Sequence, residues 1–147
     1  MLQFDDFGYL LPYETHVLSL EDFERTFVID TEREKLFRLL TDLVLDLKNL
    51  GAGTFYIWVD GSFVTKKRLP RDIDLVVFVD SEVFETMLNQ LSKLRRDYEP
   101  YLDIFMVDNY PEVHEEYYTT ALEKLKWRET FGTDRQGRRK GIIQIEF

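Results

Sequence analysis

The run DIDLVVFV at 72–79 constrains the fold more than any other stretch of this chain. It is short, rich in β-branched residues and almost uninterrupted in its apolar character. That pattern predicts a central strand buried on both faces rather than an amphipathic edge strand. Such a strand needs partners beside it and a layer above and below it. The rest of the sequence supplies both. TFYIWVD (54–60), YLDIFMVD (101–108) and GIIQIEF (141–147) read as further strands. Ser19 is placed to cap a short helix carrying Phe23 and Phe27. Thr31 and Glu34 form a capping-box pattern ahead of a stripe of Leu36, Leu39, Leu40, Leu43, Val44, Leu47 and Leu50, stopped by Gly51 and Gly53. Ser81 heads a second helix with Val83, Phe84, Met87, Leu88, Leu91 and Leu94 on one face, broken by Pro100. Pro111 suits the first turn of a third, which runs to about Gly132 with Val113, Tyr117, Ala121 and Leu125 at i+4 spacing. The expected fold class is α+β, a mixed β-sheet covered by helices. Residues 1–147 are expected to make one domain, with 1–30 as an acidic extension packed on it.

Composition narrows the chemistry. With no cysteine, disulfides, thiolate metal sites and cysteine nucleophiles are excluded. Hydrophobic residues at 44% and aromatics at 15% exclude a disordered chain. No apolar run is long enough for a membrane span and the start, MLQFDDFGYL, is acidic, so the expectation is a cytoplasmic protein without membrane contact. The formal charge of −9 argues against broad, non-specific binding to a nucleic-acid backbone. That charge is unevenly spread. Residues 1–32 carry eight acids against Arg25 alone, and this acidic stretch is expected to lie outside the functional site. Two basic clusters follow, Lys66, Lys67, Arg68 and Arg71, then Arg135, Arg138, Arg139 and Lys140. The second reads as an exposed turn shaped by Gly137. His16 and His114 have no ligand spacing, and Trp58 and Trp127 read as packing residues.

The chemistry concentrates at Asp60-Gly61-Ser62, followed after nine residues by Asp72-Ile73-Asp74. Asp72 and Asp74 alternate on a strand, so both carboxylates leave the same face. Their mutual repulsion favours a hard divalent cation such as Mg²⁺ or Mn²⁺. A strand ending in Gly-Ser offers a hydroxyl and a close backbone approach, features that suit a phosphate cradle. Lys66, Lys67, Arg68 and Arg71 stand between the two elements and are candidate phosphate contacts.

WVDGSFVTKKRLPRDIDLVVFV resembles the hG[GS]-x9–13-Dh[DE]h signature of the DNA polymerase β-like nucleotidyltransferases. The ends of the chain are similar to a family of small, stand-alone prokaryotic proteins of that kind with poorly defined function. The resemblance implies a Mg-dependent enzyme using two metal ions. It places Asp72, Asp74 and a third acid, Asp103, as metal-binding and catalytic residues, with Gly61 and Ser62 as the nucleotide triphosphate cradle. Lys66, Lys67 and Arg71 would assist the cradle. Strand parity and apolar neighbours favour Asp103 over Asp108 as the third acid. Where relatives of that kind often follow Gly-Ser with a small residue and Arg-Gly, this chain has Phe63-Val64-Thr65, so nucleotide choice is not read from the motif. The expected reaction is nucleotidyl transfer from an NTP to an acceptor among RNA, protein or small molecules, with a protein partner or homo-oligomer supplying further surface. The alternative is a non-catalytic nucleotide-binding module, for example one component of a toxin–antitoxin or phage-defence pair.

Overall fold

The computed structural model describes residues 2–66 and 70–147. Its centre is a five-stranded sheet in the order β3-β7-β4-β5-β6, formed by β3 (Thr15–Leu18), β7 (Ile142–Glu146), β4 (Tyr56–Asp60), β5 (Ile73–Asp80) and β6 (Leu102–Asn109). β4 runs antiparallel to both β5 and β7, whereas β5/β6 and β3/β7 are parallel pairs. The sheet is therefore mixed, and the fold is α+β as the sequence predicts. Ile73 and Leu75 to Val79 are all fully buried, in keeping with a strand covered on both sides.

The two faces are unequal. On one, Ile57, Val59, Leu75 and Val77 pack with Phe23 and Phe27 of α1 (Leu20–Phe27), Leu40, Leu43 and Leu47 of α2 (Thr31–Asn49), and Leu91 of α4 (Leu88–Asp97). On the other, a smaller core of Trp58, Val76, Phe78, Val107 and Ile142 is covered by Trp127 and Phe131 of α5 (Tyr117–Gly132). Both tryptophans are packing residues there. Trp58 Nε1 donates to Gln144 Oε1 at 2.8 Å and Trp127 Nε1 to Glu123 Oε2 at 3.1 Å. Among the described residues no helix is long and apolar enough to cross a membrane.

One capping expectation holds and several other local expectations are corrected. Ser19 caps α1, its hydroxyl accepting from Asp22 N at 3.0 Å. Asp30, not Thr31, caps α2: it is extended, and its carboxylate accepts from Arg33 N at 2.8 Å. A charged acceptor at the positive end of a helix outranks the threonine one residue later. The helix expected from Ser81 is capped by Asp80 and divides at Met87 into α3 (Ser81–Thr86) and α4. The third helix begins at Tyr117, because residues 111–116 spend their backbone bonds in turns, such as His114 N to Pro111 O at 2.9 Å. The N-terminal segment holds more than a helix. β1 (Gln3–Phe4) and β2 (Leu10–Leu11) form a hairpin, and β3 is an edge strand of the main sheet.

Candidate active site

Register assembles the site. Asp60 stands opposite Asp74 across the β4/β5 ladder, and Asp74 stands beside Asp103 across β5/β6. Neighbouring strands lie about 4.8 Å apart, so three carboxylates sit abreast at one end of the sheet. By parity they share the α5 face with Trp58, Val76 and Phe105, just beyond the end of the smaller core. Asp72 precedes β5 by one residue on the same parity. Asp108 points to the opposite face, in register with Val79, so it does not belong to the row.

Like charges opposite one another in a sheet destabilise it, and here the consequence falls on the central member. Burial pushes the Asp74 carboxyl up to about 7, and the charges of Asp72, Asp103 and Asp60 push the same way. Burial also raises Asp60, to about 6, against the opposing attraction of Lys140. Asp60 is only 4% exposed; its Oδ2 pairs with Lys140 Nζ at 3.0 Å, while Oδ1 is buried without a hydrogen-bond partner among the described residues. Asp103 is exposed at the mouth of the cleft.

Gly61 turns the chain away from β4 with φ of +81°, a region that disfavours side chains. It also lies directly on the acid row: a Cβ there would overlap Asp74 Oδ2. Both requirements explain why glycine stands at this position. Residues 62–64 then form one 3₁₀ turn, with Phe63 and Val64 buried. That turn is held from behind by Arg33, a fully buried residue of α2. Its guanidinium donates to the carbonyls of Phe27 (3.1 Å), Thr65 (3.0 Å) and Phe63, and lies 4.9 Å from the Phe63 ring centroid. A planar fork of donors can collect several carbonyls at once, which a lysine could not do. Desolvation lowers the Arg33 pKa from its usual value.

These elements border a cleft of about 1130 Å³, lined by Gly61, Ser62, Lys66, Asp72, Asp74 and Asp103 among the residues expected from sequence. Arg71 is not among them. It lines a separate cavity with Leu36, Leu39, Pro70 and Tyr101. Lys67 and Arg68 lie outside the described residues. Asp5, Asp6, Phe7 and Tyr9 of the N-terminal hairpin, with Arg135 and Lys140, complete the cleft wall. The acidic N-terminal segment thus borders the site instead of lying outside it, because the hairpin folds back over the loop after Ser62, with Lys66 N donating to Gly8 O at 3.3 Å.

Sequence reasoning named Asp60 and Lys140 without giving them a place in the site, and gave none to Arg33 or the hairpin. Two of them left a signal. Arg33 falls on the helical period of the buried stripe, three and four residues before Leu36 and Phe37, where a charge calls for an explanation. Asp60 ends one of two consecutive strands, and simple pairing sets it against Asp74. Among the described residues no three acidic or imidazole side chains have already converged into a cation cage. The arrangement is a row of hard oxygen donors on neighbouring strands, bordered by a glycine-serine turn and a half-buried lysine.

Fold and site together define an α+β protein with a carboxylate-lined cleft at one end of a mixed sheet. The chain belongs to the family of unknown function DUF6932, whose profile matches residues 2–146. No curated protein and no solved structure matches it.

Proposed function

We propose that this protein is a divalent-metal-dependent nucleotidyltransferase that binds an NTP in the carboxylate cleft and transfers its nucleotidyl group to an acceptor hydroxyl. The observation that carries the reading is Asp74. It lies between Asp60 and Asp103 in register and is pushed up to about 7, first by burial and then by its acidic neighbours. A fold keeps so unfavourable a grouping where a ligand relieves it. The donor set fits Mg²⁺ or Mn²⁺, since every candidate ligand is a hard carboxylate oxygen. Asp72, Asp74 and Asp103 would hold the two ions. Bound there, divalent ions neutralise charge on the phosphoryl oxygens and make an attacking hydroxyl more acidic.

The remaining work falls to the chain itself. Gly61 brings backbone against Asp74 and presents Ser62 to the cleft as a phosphate contact. Lys140 and Lys66 line the same wall and offset phosphate charge. Arg33 keeps the turn at 62–65 in place before any ligand arrives, so little reorganisation is left for binding. Asp103, exposed at the mouth, is the acid best placed to orient an incoming acceptor and accept its proton.

Incubation with each labelled NTP, Mg²⁺ and a cell lysate tests the reading. Label transferred to an acceptor with release of pyrophosphate, lost in Asp72→Asn and Asp74→Asn proteins of unchanged circular dichroism, is the expected result. Equal labelling by wild type and Asp74→Asn overturns it. Mg-dependent NTP binding without pyrophosphate release assigns the chain instead to the class of non-catalytic binding modules.

A further inference from the structure

The N-terminal hairpin is braced far more heavily than a solvent-facing turn requires. Asp5 Oδ1 accepts the backbone N–H groups of Phe7 (2.8 Å) and Tyr9 (2.9 Å), and Oδ2 accepts the Tyr13 hydroxyl at 2.8 Å. Asp5 N donates to Tyr9 O at 2.8 Å, and Gly8 N returns to Asp5 O at 3.0 Å. The Tyr9 hydroxyl donates to Asp134 Oδ2 at 2.8 Å, which also receives Arg138 at 3.0 Å. The residue all this presents is Phe7, which is 61% exposed and lines the cleft. Its ring stacks beside Tyr9, centroids 6.2 Å apart and planes 29° from parallel, and the Arg138 guanidinium lies 4.3 Å from its centroid.

An aromatic ring 61% exposed on a braced turn, at the rim of a cleft whose other groups suit cations and phosphates, keeps open area beyond Tyr9 and Arg138 for a further planar partner. The hairpin is also registered to the candidate phosphate turn. Gly8 packs so closely on Lys66 that a Cβ would come within 3.3 Å of the Lys66 Cβ.

We propose that Phe7, backed by Tyr9 and Arg138, is the platform on which the nucleobase of the bound NTP stacks. The inference rests on the nucleotide reading of the cleft and adds the part of the ligand that the carboxylates and lysines do not address. Stacking on an aromatic face is tolerant of base identity, so the platform supplies affinity for any of the four bases. Asp5 and the backbone, not the Phe7 ring, hold the turn, so the ring can be removed without losing the hairpin.

Calorimetric titration in Mg²⁺ separates the base from the phosphates, using the four NTPs and inorganic tripolyphosphate as probes. Wild type is expected to bind NTPs more tightly than tripolyphosphate. Phe7→Ala should lose about tenfold in NTP affinity and nothing for tripolyphosphate, and Phe7→Trp should restore the NTP value. Equal losses on both probes, or none on NTPs, overturn the platform. Wild type binding both probes with equal affinity also overturns it while leaving the phosphate site standing. Wild type binding neither probe overturns the nucleotide reading of the cleft, and the platform with it.

Discussion

The two basic clusters have similar compositions and reach the cleft by different routes. Lys66, Lys67, Arg68 and Arg71 stand in the sequence between the glycine-serine turn and the acid pair, where phosphate contacts would be sought. Of those described, Lys66 borders the cleft with its ammonium 5.0 Å from the Phe4 ring, and Arg71 faces a different cavity. Arg135 to Lys140 lie more than sixty residues further on and read as a solvated turn. Most of that turn is exposed, and Gly137 shapes it with φ of +79°. Its last residue nevertheless reaches the buried end of β4 and pairs with Asp60. The antiparallel β4/β7 ladder explains the difference. Val59 pairs with Ile143, so the residues before β7 run past those after β4. Nearness along the chain brought Lys66 to the cleft, and strand pairing brought Lys140.

Breaking the Lys140–Asp60 pair should have the largest effect on that contrast. Their side chains are only 13% and 6% exposed, and removal of one partner leaves an uncompensated buried charge. Lys140→Met should cost about 3 kcal/mol at pH 8, where Asp60 is ionised, and less near pH 5, where it protonates. The double variant Asp60→Asn, Lys140→Met should recover most of the loss in urea melts. A single variant as stable as wild type at pH 8 would mean that the pair does not hold this end of the sheet.

An intermediate effect is expected from pH. Asp60 and Asp74 both titrate above their unfolded value of 3.8, at about 6 and about 7. The folded state therefore binds more protons than the unfolded one between about pH 4 and pH 7, and metal-free stability falls as pH rises through that window. Asp74→Asn should flatten the slope, and Mg²⁺ should raise the melting temperature more at pH 8 than at pH 5. Asp134 works in the other direction. Burial opposes its ionisation, but hydrogen bonds from the Arg138 backbone, the Tyr9 hydroxyl and the Arg138 side chain hold it down to about 2, so its contribution is lost only as pH falls from about 4 toward 2. A flat melting profile from pH 4 to 8 in the metal-free protein would rule out the crowded acid row.

The smallest effect should come from the cluster that looked most functional. Arg71 is exposed and outside the cleft, so Arg71→Ala should change stability by less than about 0.5 kcal/mol and leave nucleotide affinity unchanged. A tenfold loss of NTP affinity in that variant would place Arg71 at the site.

Much of the fold was legible because its signals are local. The buried run at 73–79, the α2 stripe and the Ser19 cap each depend on residues within a few turns of one another. The boundaries that shifted, at Asp30, Met87 and Tyr117, depend on which nearby group takes the terminal backbone bonds. The site was half legible. Asp72, Asp74, Gly61 and Ser62 lie within one strand-loop-strand unit and carry their geometry with them. Asp103 could be chosen over Asp108 by parity together with its apolar neighbours. Arg33 reaches the turn behind the cleft across 30 residues of chain, and Lys140 and the Phe7 hairpin reach the cleft across 80 and more than 50; local patterns do not say which partner such a residue meets.

By itself, then, the sequence determined the period of each element and the shared face of Asp72 and Asp74, since alternation on a strand is fixed by backbone geometry. Only the tertiary structure decided which charges oppose one another. It set Asp60 and Asp103 on either side of Asp74, brought Lys140 to Asp60, and turned the acidic N-terminal hairpin into a wall of the cleft. The physical reason is that strand order and register are global solutions, chosen by burial of the whole apolar sheet, and the pairings at the sheet's polar end follow from that choice.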